Sequence, residues 1–149
     1  MRARDAPGRP VPPGSRVRDA LGRPVPPGSP DAVLPESEAA LPPEQALARA
    51  RQLLTAGRAF AAHEVCEAAW KAAPAGERPL WQGLAQVCVG LTHLQRGNST
   101  GSARLLLRGA GTLAAYQGTA YDAAGLARRA ALLAGQSARY AEAVRLLQL

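Results

Sequence analysis

Residues Phe60–Trp70 (FAAHEVCEAAW) hold one histidine, two carboxylates and two large aromatics within three helical turns. His63 and Glu67 are four residues apart, about 6 Å along a helix axis, so an imidazole and a carboxylate can converge on one point. Glu64 stands between them as a possible general base for a water activated there. Within Trp81–Asn98 a second polar line follows, made of Gln82, Gln86 and His93. Polar groups set among bulky apolar ones need partners when buried, so they mark either a network or a site.

Three chemistries fit these residues. In a structural network, Glu64 accepts hydrogen bonds from the Asn98–Ser99 helix start or from the Trp81 indole. Glu67 then pairs with Lys71, a contact worth about 0.2–0.5 kcal/mol on an exposed helix, and His93 faces solvent beside Gln82, Gln86 and Arg96. In a binding pocket for a small molecule or a partner segment, Trp70 and Trp81 are walls. His63, Glu64, Glu67, Gln82, Gln86, His93 and Asn98 then orient the ligand. In a metal-dependent hydrolase, His63, Glu67 and His93 are the ligands of a divalent metal and Glu64 is the base. The run His63-Glu64-x-x-Glu67 lacks the second histidine of H-E-x-x-H, so the zincin signal is absent. No cofactor is otherwise predicted, no reaction is assignable, and a binding or structural role is favoured.

Those side chains need helices to carry them. Of 13 prolines, 11 lie at or before Pro43, which divides the chain into a tail, residues 1–41, and an ordered domain, residues 42–149. Pro43 suits a first helical position and Gly57 a stop. Helices are predicted over 43–56, 59–73, 79–96, 100–116, 123–134 and 138–147, with Asn98 or Ser99, Asp122 and Ser137 as caps. The second helix has few positions suited to open water, which predicts a central place for it. Gly83 and Gly90 lie two turns apart and predict close approach of a neighbouring helix, since each costs about 1 kcal/mol relative to alanine. No strand pattern appears. The expected fold is all-α, a small multi-helix bundle of antiparallel hairpins with a disordered N-terminal tail.

The tail is a tandem repeat. Residues 2–15 and 16–29 differ only at Ala3/Val17 and Pro7/Leu21. Such Pro/Gly/Arg peptides bury little apolar surface, so disorder is expected, with a proline-binding partner as the functional alternative. The net charge of +7 is spread without a basic block or interleaved aromatics, which argues against nucleic acid. Cys66 and Cys88 form no C-x-x-C and read as buried thiols in a reducing compartment. No apolar run approaches a membrane span and no secretory h-region is seen, so the expected location is cytoplasmic, with no membrane partner. The terminal helices, through Tyr140, Val144, Leu146 and Leu147, offer a surface for a homo-oligomer.

His63-Glu64-Val65-Cys66-Glu67-x-x-Trp70, then Trp81-Gln82-Gly83-Leu84-Ala85-Gln86, His93 and Gly97-Asn98, together resemble the bacterial domain of unknown function family 309. Arg18–Pro26 is similar to leaders on its actinobacterial members. The resemblance implies a small helical bundle and no activity. Cys66 stands where the family usually has a larger apolar residue, and Ser102 where it usually has alanine. Two helix-turn pairs, around Gly57 and Gly97, superficially resemble tetratricopeptide scaffolds. Their spacing of 40 residues is off that repeat's period and no third copy follows.

Overall fold

The computed structural model describes residues 17–36 and 39–149. Among them are six helices: α1 (Pro43–Thr55), α2 (Ala59–Ala72), α3 (Arg78–Gln95), α4 (Ser99–Ala114), α5 (Ala123–Ala134) and α6 (Tyr140–Leu147). The predicted boundaries agree to within two residues. α1 and α3 both end in a glycine of positive φ, Gly57 at 78° and Gly97 at 77°. After each, the next amide reaches back five residues, Arg58 to the Leu53 carbonyl and Asn98 to that of His93. This left-handed stop closes the α1–α2 and α3–α4 hairpins. Asn98 caps α4 through its side chain, accepting from the Gly101 amide, and Asp122 caps α5 through Gly125. Ser137 does not cap α6, which starts later, after Arg139.

The middle of the bundle is α3, not α2. It packs between α2 and α4 and buries Leu80, Trp81, Leu84, Val87, Cys88 and Leu91. α2 is covered by helices on one face only, with Ala62, Val65, Cys66 and Ala69 inward. Gly83 and Gly90 do permit close approach: a Cβ on Gly83 would stand 2.6 Å from Leu113 Cγ, and one on Gly90 3.0 Å from Leu106 Cγ. α6 folds back onto α1, α3 and α5. Tyr140 donates to the Leu54 carbonyl at 2.6 Å and Leu147 is buried. Of the four residues predicted to offer an oligomer surface, only Leu146 is exposed as a large hydrophobe. No helix among the described residues is long and apolar enough to cross a membrane.

The first tandem copy, residues 2–15, lies outside the described residues, whereas all of the second copy after Arg16 is described and is not a free tail. Asp19–Gly22 forms a turn, with the Gly22 amide bonded to the Asp19 carbonyl and Gly22 at φ 76°. The Asp19 amide bonds the Arg23 carbonyl and the Val25 amide bonds that of Val17. This is a type I turn with a following left-handed glycine, a common three-residue hairpin. Pro24 fits because it faces Arg18 at a pair that needs no amide hydrogen there. Arg18–Asp19 (β1) then pairs antiparallel with Ala32–Val33 (β2), Arg18 opposite Val33. Local turn chemistry, not apolar burial, orders this ribbon.

Candidate functional site

The ribbon lies across the open face of α2 and the end of α3. Phe60, in the first turn of α2, is the anchor. The Arg18 guanidinium stacks over its ring, 4.8 Å from the centroid, a geometry that favours the cation. Gly22 rests against the same ring so closely that a Cβ there would overlap Phe60 atoms. The His63 and Phe60 ring centroids are 5.2 Å apart. Arg96, just after α3, donates from Nε to the Leu21 carbonyl at 3.0 Å, and Arg58 donates to the Leu34 carbonyl at 3.3 Å. Arg49 of α1 pairs with Glu36 at 2.8 Å. Arg49 of α1, Arg58 at the α1–α2 turn and Arg96 at the α3–α4 turn thus each reach into residues 17–36.

Asp19 holds the ribbon's own turn. Its Oδ1 accepts from the Leu21 and Arg23 amides at 3.0 and 2.8 Å, and its Oδ2 from Arg23 Nε at 2.9 Å. Burial would raise this carboxyl, but the Arg23 amide and guanidinium and the Leu21 amide hold it below the usual aspartate range. Such a group binds its proton less readily folded than unfolded. Its contribution is therefore complete above the usual range and is lost as pH falls through the folded value.

His63 and Glu64 form the polar floor beneath the ribbon and titrate with opposite sign. Burial holds His63 below the usual histidine range, against the pull of the Glu67 carboxylate. Its Nε2 lies 3.3 Å from Glu67, while Nδ1 is buried without a partner among the described residues. Burial pushes Glu64 above the usual carboxylate range. The Glu36 backbone N–H opposes this rise, the Glu36 carboxylate adds to it, and Arg18 and Arg58 pull back. Glu64 thus turns to the ribbon, not to Asn98 or the Trp81 indole. The folded state therefore binds this proton more readily than the unfolded one, and stability rises as pH falls through the folded value. Glu64→Gln should therefore raise Tm at pH 7.5 by about 1–3 °C after allowance for solvent screening. That gain should vanish near pH 4; a lower Tm at pH 7.5 would contradict the assignment.

The other predicted site residues disperse. Glu67 bridges His63 and Lys71, the latter at 3.4 Å. Trp70 is half-buried under Arg78, whose guanidinium lies 5.9 Å from its ring centroid. Trp81 is in the core, edge-on to Tyr121 at 6.4 Å. Gln86 accepts from the Thr112 hydroxyl at 2.6 Å, and Gln82 is half-buried on α3. His93 Nδ1 sits 3.1 Å from Asn98 Nδ2 at the start of α4, away from His63. The two tryptophans do not wall one pocket with the histidines. No group of three or more His, Cys, Asp or Glu side chains among the described residues is placed to hold a metal, so His63, Glu67 and His93 do not form a ligand set. A cavity of about 350 Å³ between α3, α4 and the α5–α6 turn is lined by Leu94, Ser102, Leu106 and Leu133. None of the nine predicted residues borders it.

Sequence reasoning passed over Arg18, Asp19, Gly22, Arg49, Arg58 and Arg96 as site residues. The one legible signal was Asp19-x-x-Gly22, with Asp and Gly at the first and fourth positions of a type I turn. No curated protein and no solved structure matches the chain. The seat residues Phe60, His63, Glu64 and Arg96 lie inside a stretch, residues 47–105, that matches the model of the family described as Domain of unknown function (DUF309). The matched segment runs from the second turn of α1 to the second turn of α4.

Proposed function

We propose that this chain is an interaction module whose α2–α3 face binds a hairpin-turn peptide containing Arg, Asp, Gly and Pro. His63 and Glu64 serve that face and carry no reaction. The observation that supports this reading is the ribbon itself, held at Phe60, Arg58 and Arg96 by stacking and by bonds to backbone carbonyls. Backbone bonds give affinity to such a contact, while Phe60 and the lack of room for a Cβ at Gly22 give selectivity. A tethered ligand also profits from a high effective concentration.

The test is binding in trans. A full-length chain carrying Gly8→Ala and Gly22→Ala leaves neither tandem copy able to seat its glycine against Phe60. A fluorescent peptide of residues 16–29 should bind this chain saturably, with rising anisotropy. Adding Phe60→Ala should abolish the rise. No binding to the first chain, or equal binding to both, would refute a peptide-binding face.

A further inference from the structure

Two near-identical segments of the chain are addressed to one seat. Copy two touches the seat through Arg18, Gly22 and the Leu21 carbonyl, while Asp19 and Arg23 hold its turn. Arg18, Asp19, Gly22 and Arg23 have identical counterparts in copy one, Arg4, Asp5, Gly8 and Arg9. The seat reads a stacked guanidinium, a glycine and a backbone carbonyl, none of which separates the copies. The differences lie elsewhere. Ala3 in place of Val17 changes one half-buried aliphatic side chain. Pro7 in place of Leu21 falls on the third residue of the turn, where proline drives the preceding residue out of the right-handed helical region. It also removes the amide hydrogen that Leu21 gives to Asp19 Oδ1.

We propose that the α2–α3 seat accepts either copy of the repeat, and that Pro7 against Leu21 is the selector that makes residues 16–29 the resident and residues 2–15 the reserve ligand. The proposal rests on the reading of this face as a peptide seat. Moving the register by one repeat keeps β2 in place and loops out residues 16–29, which roughly doubles the chain between the paired segments. Loop closure grows slowly with length, so this doubling disfavours copy one by only about threefold. Turn chemistry at position 7 supplies the remaining selection.

The experiment uses full-length Pro7→Leu and the α-proton shifts of Gly8 and Gly22 by NMR, because a glycine seated against Phe60 feels its ring current. In the unmodified chain Gly22 alone carries the upfield shift. In Pro7→Leu, Gly8 should take up about a quarter of it at the expense of Gly22. With Pro7→Leu and Gly22→Ala together, Gly8 should carry it fully, since alanine at a φ of 76° against Phe60 cannot seat. Gly8 unshifted in both variants would overturn the exchange. A Gly8 shift that grows with protein concentration would assign the occupant to a neighbouring chain and overturn it also. Failure of the underlying reading looks different: Gly22 would be unshifted in the unmodified chain.

Discussion

Gly109→Leu is expected to destabilise the bundle by about 3 kcal/mol, at the upper end of overpacking penalties. α3 and α4 meet glycine to glycine here. A Cβ on Gly109 would stand 2.8 Å from Val87 Cγ2, 3.1 Å from the Gly83 carbonyl oxygen and 3.2 Å from the Val87 amide nitrogen. Two of these three neighbours are backbone atoms of α3 and cannot rotate away. From the other side, a Cβ on Gly83 would meet the Leu113 backbone nitrogen at 3.0 Å as well as its side chain. Glycine costs helix stability at each of these positions, about 1 kcal/mol against alanine, so the contact must more than offset it. Gly111 is the control on the same helix. Nothing lies within 4 Å of a Cβ there, and Gly111→Ala should stabilise by about 0.5–1 kcal/mol. Urea unfolding followed by tryptophan fluorescence measures both, and a destabilising Gly111→Ala or a neutral Gly109→Leu would contradict the packing described.

Trp81→Ala is expected to cost about 3–5 kcal/mol, the range for deleting a fully buried large aromatic. Trp81 is 1% exposed in the first turn of α3, within the hydrophobic core, and Tyr121 meets its ring edge-on. A domain of this size has about 5–15 kcal/mol in total, so the loss approaches the margin of folding. Trp70→Ala, at a half-buried ring under Arg78, should cost about 1 kcal/mol, near the centre of the distribution for point substitutions. Chemical denaturation of the two variants separates them; equal losses would refute the placement of Trp81 in the core and Trp70 at its edge.

The helices were legible because their ends are written locally. Pro43, Gly57, Gly97, Asn98 and Asp122 each act on the backbone within one turn, so spacing alone locates them. Ser137 misled because a capping side chain is only a candidate until the chain path past Gly135 is known. The polar cluster was half legible. Sequence spacing located His63, Glu64 and Glu67 on one helix, and the Glu67 pairings follow from that spacing. It carried no information on what covers them. The Arg96 contact with Leu21 spans 75 residues, and no local pattern encodes a partner at that distance. The ribbon was hidden for a related reason: its Pro, Gly and Arg content is that of a disordered peptide. Its order comes instead from one buried aspartate, one left-handed glycine and one aromatic on another element.

The contact of the ribbon with α2 and α3 is tested most directly by amide hydrogen exchange on the unmodified full-length chain. The Asp19, Leu21, Arg23 and Val25 amides, which bond Arg23, Asp19 and Val17 acceptors, should exchange at least about tenfold more slowly than in a free peptide. Phe60→Ala should release that protection while the α3 and α4 amides keep theirs. Acidification through the folded Asp19 value should release it too. Free-peptide exchange rates at these amides in the unmodified chain would contradict the account.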